Sequence, residues 1–465
     1  MKLCKFWNWF FIFSYLKIYL INLNGDNLKR TKKFLINGSI LTITNIIMRS
    51  IGMVFGIYVS NKIGSEAVGT FDLVMSVYML AITIATSGLN IACISIVSEQ
   101  FAKKDFLNGL TAVKTCIIFA ILLGISSSII LSLFSDFIIK NWLNNIISSI
   151  PLYLIALGLP FIAISSVLNG YFVAIRKAYK GAISQFFEIT IKIICTIIFF
   201  NFFSLKNVEN ICICLILADV ISEIASCLLW IILYKIDKSK LWQRTQTKLS
   251  FVKKIIKITV PIFITSCLRS GLSTFKKFII PIKLVAYGFP YTIALSEYGK
   301  IIGMAFPIIM IPNMCISSFS NLLVPEFASL LANGNKKRII NICNKLFKIT
   351  SFFSITLIII FMHYSNEISL ALFHNLECSN YIKILSPLIL FMCLDNITDN
   401  ILKGLDKQFE VMLYNVIDLI ITIIILYFLI PFIGIKGIIV ALYVSEIFNF
   451  SASYLELYKK VFKSF

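Results

Sequence analysis

Arg49 stands inside an apolar run, and small and polar residues recur around it on one side. Gly38, Thr42, Asn45, Arg49, Gly52 and Gly56 follow at gaps of 4, 3, 4, 3 and 4, so a helix carries all six on one face. A second apolar run holds Thr265, Arg269, Ser273, Lys276 and Lys277 at similar spacing. Arg269 and Lys276 are two turns apart there, roughly 10 Å along a helix. Neither run contains an acid. A charge at the centre of a membrane span costs ~2.5–3.5 kcal/mol on insertion scales, so cations kept there without a carboxylate point to an anionic ligand. Guanidinium grips phosphate oxygens two at a time, and ammonium adds a mobile point charge. A third run has Asp72, Ser76, Thr83, Ser87 and Asn90 at helical spacing, with Asp72 able to balance Arg49 in an empty cavity. The candidate substrate-binding residues are Arg49, Arg269, Lys276, Lys277, Asn45 and Asp72.

Other span charges read differently. Glu188 and Lys192, at i and i+4, are spaced to neutralise each other. Asp219 and Glu223 share that spacing with like charge; they need a partner such as Lys192, or a proton. Asp395, Asn396, Thr398, Asp399, Asn400, Asn415 and Asp418 gather oxygen atoms that suit interhelical hydrogen bonds, a cation or a proton relay. Asp395, Asp399 and Asp418 are the candidates for cation or proton coupling. The twelve cysteines form no C-x-x-C pair, and His363 and His374 are too far apart for local metal spacing, so no metal site is expected. No phosphate loop or nucleophile motif occurs, and neither catalysis nor a cofactor is expected. Coupling would come from a sodium or proton gradient or from the membrane potential.

The elements that position these residues are membrane helices. Of 465 residues, 58% are hydrophobic and 14% charged, and the mean hydropathy is +0.90. A soluble domain has about a quarter charged. Apolar runs at 34–58, 67–98, 111–135, 150–175, 181–204, 210–234, 253–282, 298–331, 344–364, 380–403, 409–432 and 436–457 give about twelve spans. Gly299, Gly303, Pro307 and Pro312 mark a place for kinking or gating in the eighth. The net charge of +21 collects in alternate junctions, among them Lys103 and Lys104, Arg176 and Lys177, and Lys336 to Arg338. That is the positive-inside pattern rather than a nucleic-acid surface; it predicts a multi-pass inner-membrane protein with both termini in the cytoplasm. Residues 6–23 read as an interfacial helix, with an extra apolar span as the alternative, set with a basic linker in a segment 1–32.

Markers recur in order along the two halves. Asn169-Gly170 precedes Ser184-Gln185-Phe186-Phe187-Glu188, and Asp399-Asn400 precedes Tyr414-Asn415-Val416-Ile417-Asp418 at the same spacing. Glu99-Gln100-Phe101-Ala102 has a counterpart in Glu326-Phe327-Ala328, and Arg49-Ser50 in Arg269-Ser270. The organisation predicted is an all-α integral membrane protein with two pseudo-symmetric six-helix lobes, 33–234 and 253–465. A basic cytoplasmic loop, 235–252, joins them, and the substrate passes through a central cavity between them.

The stretch from Asn37 to Asp105, the block PIFITSCLRSGLSTFKKFIIPIKL with the following YGKIIGMAFPIIMIPNMCISSFSNLLVPEFA, and ISSVLNGYFVAIRKAYKGAISQFFE resemble the family of stage V sporulation protein B and polysaccharide exporters. The resemblance runs from about residue 33 to the C-terminus. It implies the multidrug/oligosaccharidyl-lipid/polysaccharide flippase superfamily, a MATE-like fold and alternating access. It also implies a cavity arginine at Arg49 and, more loosely, at Arg269. This chain differs in its extra N-terminal segment and in having about twelve helices where the sporulation-type and lipid II members usually have fourteen. The expected function is export of an anionic lipid-linked oligosaccharide or peptidoglycan precursor. Its partners would be membrane lipid, the saccharide carrier and cell-wall synthesis enzymes. A cation-coupled multidrug antiporter and a non-transporting scaffold for cell-wall synthesis are the alternatives.

Overall fold

A computed structural model describes residues 28–463 except 178, 204–206, 240–250, 322 and 333, with side chains from Ile47 to Val461 apart from those and 238–239. The segment 6–23 lies outside the described residues. Contacts divide the chain into two compact units, 1–45 and 46–465. The first unit is helical from Leu28. All packing below belongs to the second.

The described residues form helices and no strand. They are α1 (Leu28–Thr86), α2 (Leu89–Ala102), α3 (Phe106–Asn141), α4 (Ile150–Ala174), α5 (Tyr179–Phe202), α6 (Val208–Ser239), α7 (Val252–Tyr287), α8 (Tyr291–Ser320), α9 (Leu323–Ala332), α10 (Lys336–His363), α11 (Ser365–Phe373), α12 (Ser379–Leu385), α13 (Leu388–Gly404), α14 (Gln408–Ile433) and α15 (Ile435–Leu457). Ten of the described helices are long and apolar enough to cross a membrane, and the α12–α13 pair, bent by 49°, makes an eleventh. One of the ten, Ile47–Ala102, has 56 residues, far more than the ~20 a crossing needs. It breaks at Gly64, whose φ of 77° and ψ of 168° only glycine adopts readily. Counting that break as a junction gives the twelve spans predicted. Leu133, Phe202 and Phe432 are 77, 84 and 80% exposed, as lipid-facing side chains are.

Boundaries differ where backbone chemistry, rather than hydropathy, sets them. The run 298–331 is two helices, because α8 ends at Ser320 and α9 begins at Leu323. Within α8, Gly299–Ala305 is a π-helical turn. Pro307 follows it and has no N–H to return to the preceding turn, which favours such widening.

The first half packs around Leu89, Cys93, Ile96, Val113, Leu168 and Tyr171 of α2, α3 and α4. Along the seam with the second half, α1 beyond Gly64 and α2 run antiparallel to α7. Thr274 Oγ1 donates to the Ser76 carbonyl at 3.0 Å and Thr83 Oγ1 to Ser270 Oγ at 3.2 Å. Gly88 sits so close to Thr259 that a Cβ there would meet its Cα at 2.8 Å. Lys254 pairs with Glu99 at the far end. Where α1 meets α8, the hydroxyls of Ser65 on α1 and Ser296 on α8 lie 2.7 Å apart. The backbones at Gly69 and Gly299 approach until either Cβ would collide with a carbonyl oxygen, of Leu295 or Ser65.

Candidate functional site

Lys277 of α7 reaches across this seam to α1. Its Nζ donates to both carboxylate oxygens of Asp72 at 2.8 Å, and the Tyr298 hydroxyl donates to Asp72 Oδ2 at 2.5 Å. Asp72 therefore balances Lys277, not Arg49, and Lys277 is not a bare cation. Arg49 Nη1 donates instead to Ser317 Oγ of α8 at 3.0 Å and forms no ion pair among the described residues. Added Cβ atoms at Gly52 and Gly56, one and two turns on, would meet nothing within 4 Å, so this face of α1 borders open space.

Arg269 is exposed, and no hydrogen bond or ion pair joins it to any described residue. Lys276 is half-buried and makes no ion pair within contact distance among the described residues, yet the charges of Asp418 and Glu446 act on it. The adjacent lysines of α7 thus turn to different partners, Lys277 to the first half and Lys276 to α14 and α15 of the second. The Asn45 side chain lies outside the described residues.

The oxygen-rich group of α13 and α14 converges on α15. Asn449 Nδ2 donates to Asp395 Oδ2 at 3.0 Å, Ser453 Oγ to Asp399 Oδ1 at 2.9 Å, and Ser445 Oγ to Asp418 Oδ2 at 2.9 Å. Asp395 Oδ1 and Asn449 Oδ1 are buried without a partner. The arrangement is chiefly an interhelical hydrogen-bond network, as buried polar groups require. No three carboxylate, thiol or imidazole groups among the described residues converge closely enough to hold a metal ion. In the first half, Lys192 pairs with Asp219 of α6 rather than with Glu188 one turn back on its own helix. The i,i+4 expectation fails because Lys192 meets a more buried carboxylate on the packed neighbour, Asp219 being only 6% exposed and Glu188 half-buried.

Glu446 and Tyr298 were not singled out from the sequence. A signal for Glu446 was present: Ala218–Ser226, ADVISEIAS, and Ala441–Asn449, ALYVSEIFN, carry Ser-Glu-Ile in one register. Nothing local marks Tyr298 as a partner of Asp72.

Outside the spans, the loop residue Glu377 pairs with Lys300 at 2.7 Å, and this hydrogen bond and charge hold its carboxyl below the usual value.

Residues 34–331 match the profile of the polysaccharide biosynthesis protein family. Stage V sporulation protein B of Bacillus subtilis (strain 168) is 22% identical over 427 residues, 88% of this chain and 80% of the relative. Sporulation protein YkvU of the same organism is 20% identical over 360 residues, 76% of this chain and 78% of the relative. An inward-facing multidrug resistance MATE family transporter of the MOP superfamily superposes with a TM-score of 0.72 at 14% identity, covering 90% of this chain and 98% of that one. A MOP superfamily transporter from Pyrococcus furiosus, described by the reversed polarity of its binding pocket, superposes at 0.64 and 14% identity over 91% and 96%. With its helices in the MATE arrangement and most of its length matching one profile, the chain belongs to the polysaccharide biosynthesis protein family and is a multi-pass membrane protein of the flippase and transporter kind.

Proposed function

We propose that the protein moves an anionic lipid-linked saccharide, such as an oligosaccharide or peptidoglycan precursor carrier, across the cytoplasmic membrane by alternating access. Lobes 33–234 and 253–465 would rock about the substrate, with both termini and the loop 235–252 on the cytoplasmic side. One observation carries the reading: Arg49 and Arg269 lie in spans with no carboxylate partner among the described residues, while Lys192, Lys254, Lys277 and Lys300 are each paired with a carboxylate. Bare guanidinium in a membrane is costly, and a pyrophosphate group offers the bidentate acceptors it lacks. Arg49 and Arg269 would bind the phosphates, with Lys276 and Asn45 beside them. Asp72 and Lys277 would act on the closure of the seam rather than on the ligand.

Coupling to a sodium or proton gradient belongs to the proposal, with Asp395, Asp399 and Asp418 as its carriers. The relatives named for sporulation, and the family's description, support a cell-envelope glycan over a drug. The test is flipping of a fluorescent polyprenyl-pyrophosphate sugar in reconstituted vesicles. Arg49→Gln and Arg269→Gln each reduce it at least tenfold if the reading holds. Undiminished flipping, or gradient-driven efflux of a cationic dye in its place, would replace it with the multidrug reading.

A further inference from the structure

The turn between α4 and α5 gathers basic groups around a single carboxylate. Lys177 and Lys180 both donate to Oδ1 of Asp237 on α6, Lys180 from 3.4 Å. The Tyr171 hydroxyl donates to Asp237 Oδ2 at 2.9 Å. The Lys180 ammonium also lies 4.3 Å from the centre of the Phe172 ring. Arg176, next along the turn, is exposed and has no hydrogen bond or ion pair to any described residue. Two ammonium groups therefore share one oxygen atom, with a guanidinium beside them. Like charges so close repel, and one carboxylate cannot balance three cations.

The second half supplies an internal comparison. The register that sets Asn169-Gly170 against Asp399-Asn400 sets Arg176 and Lys177 against Asp406 and Lys407. The two backbones agree. Arg176 and Asp406 have φ of 60° and 61°. The N–H groups of Lys177 and Lys407 donate to the carbonyls of Phe172 and Leu402 at 2.8 and 2.9 Å. Only the charge differs. Lys407 pairs with both Glu410 and Glu456, and Asp406 stands where the first half has Arg176. Even with Lys460 acting on Glu410, acids outnumber cations there. The shape of the turn does not require surplus positive charge, so the surplus at Arg176 and Lys177 answers to something outside the fold.

The setting names the anion. Val173, Tyr179 and Ile183 flank the turn and are exposed, at the ends of two helices apolar enough to span. Such side chains at a span's end sit at the membrane interface, where anionic headgroups attract Lys and Arg. The turn belongs to α4, α5 and α6, whereas Arg49 and Arg269 are on α1 and α7.

We propose that this turn binds the phosphate of an anionic membrane phospholipid, with Arg176 and Lys177 as the donors. Guanidinium offers paired N–H groups to phosphate oxygens and ammonium a mobile charge. Lys177, 40% exposed, can turn from Asp237 to the phosphate while Lys180, 12% exposed, keeps the carboxylate balanced. The second lysine on one oxygen is thus the spare that frees the first. The matching turn of the second half binds no such lipid.

The experiment is native mass spectrometry of the full chain in neutral detergent, titrated with phosphatidylglycerol or with phosphatidylcholine of the same chains. Parent protein should retain phosphatidylglycerol in preference. Arg176→Gln and Lys177→Gln should each weaken it about fivefold, the contribution of one basic residue at an anionic leaflet, and Arg176→Lys should keep most of the affinity. Arg176 touches no described residue, so its replacement does not threaten the fold. Lys407→Gln, and the pair Lys337→Gln/Arg338→Gln at another basic junction, should leave retention unchanged. Equal weakening by that pair would reduce the effect to overall charge and overturn the site. Equal retention of phosphatidylcholine would overturn it too. Displacement of the lipid by equimolar inorganic phosphate would make this a free-anion site, and displacement by a polyprenyl pyrophosphate a substrate site; either would overturn the phospholipid assignment. The proposal does not rest on the saccharide reading: Arg49→Gln/Arg269→Gln should retain phosphatidylglycerol as the parent does, whatever becomes of flipping.

Discussion

Two stretches of α7, eight residues apart, treat their cations in opposite ways. At Lys277 the ammonium is held by both oxygens of Asp72, with Tyr298 completing the group. At Arg269, about 12 Å earlier along the helix, the guanidinium is exposed and meets no carboxylate among the described residues. A cation in a span is therefore not by itself a mark of a ligand site. The partner decides: a paired lysine closes a seam, and a bare arginine is the group that the proposed function assigns to an anion.

This contrast can be broken experimentally, most forcefully at the glycine contact beside the paired lysine. Gly69→Leu puts a side chain where backbone already touches backbone. Close packing leaves no room, and the chain should fail to accumulate as a monodisperse protein in detergent. A folded Gly69→Leu with unchanged thermal stability would show that the seam is loose.

The pairing itself gives the next largest effect. Asp72→Asn leaves Lys277 half-buried without its carboxylate, which costs about 3–5 kcal/mol for a buried pair and less here because both groups are about 30% exposed. Melting temperature should fall by several degrees, and the exchange of Asp72 and Lys277 should recover most of it. If Asp72→Asn is neutral while Arg49→Gln destabilises, the assignment of partners is reversed.

A finer test sits on the Ser317 hydroxyl that holds Arg49. A hydrogen bond from a charged group contributes ~1.5–3 kcal/mol, but an exposed arginine can turn to water. Ser317→Ala should therefore change stability little and substrate affinity by only a few-fold, read by titration of the labelled lipid.

The smallest effect concerns pH. The pairing with Lys300 lowers the folded Glu377 carboxyl below its unfolded value, so its contribution is present above the ordinary glutamate value of about 4.3 and fades as acid protonates the folded group. Glu377 is 55% exposed, so solvent screens most of the gain. Glu377→Gln should flatten the acid limb of the melting curve only slightly, as followed by thermal scans from neutral to acid pH.

Much of this fold could be read from hydropathy alone, because a bilayer demands about 20 apolar residues per crossing and the chain supplies them in runs. The Gly64 break fell in the expected gap between the first two runs, but the π turn before Pro307 depends on backbone hydrogen bonding that hydropathy does not record. The site was legible as charges and not as pairs. Asp72 and Lys277 are 205 positions apart, and only packing of α1 against α7 joins them. Lys192 had an acid in ideal helical register and took another, since the neighbouring helix offered a more buried one. The repeated Ser-Glu-Ile register at Glu223 and Glu446 was available in the sequence and carried no local chemistry to draw attention to it.

The most direct measurement is binding of a polyprenyl pyrophosphate to purified protein, compared with a neutral polyprenol of the same length. Tenfold in affinity corresponds to ~1.4 kcal/mol, so losing both guanidiniums in Arg49→Gln/Arg269→Gln should weaken the pyrophosphate lipid about 100-fold and leave the neutral one unchanged. Equal weakening of both lipids, or none of either, would contradict the claim that the unpaired arginines are there for the anion.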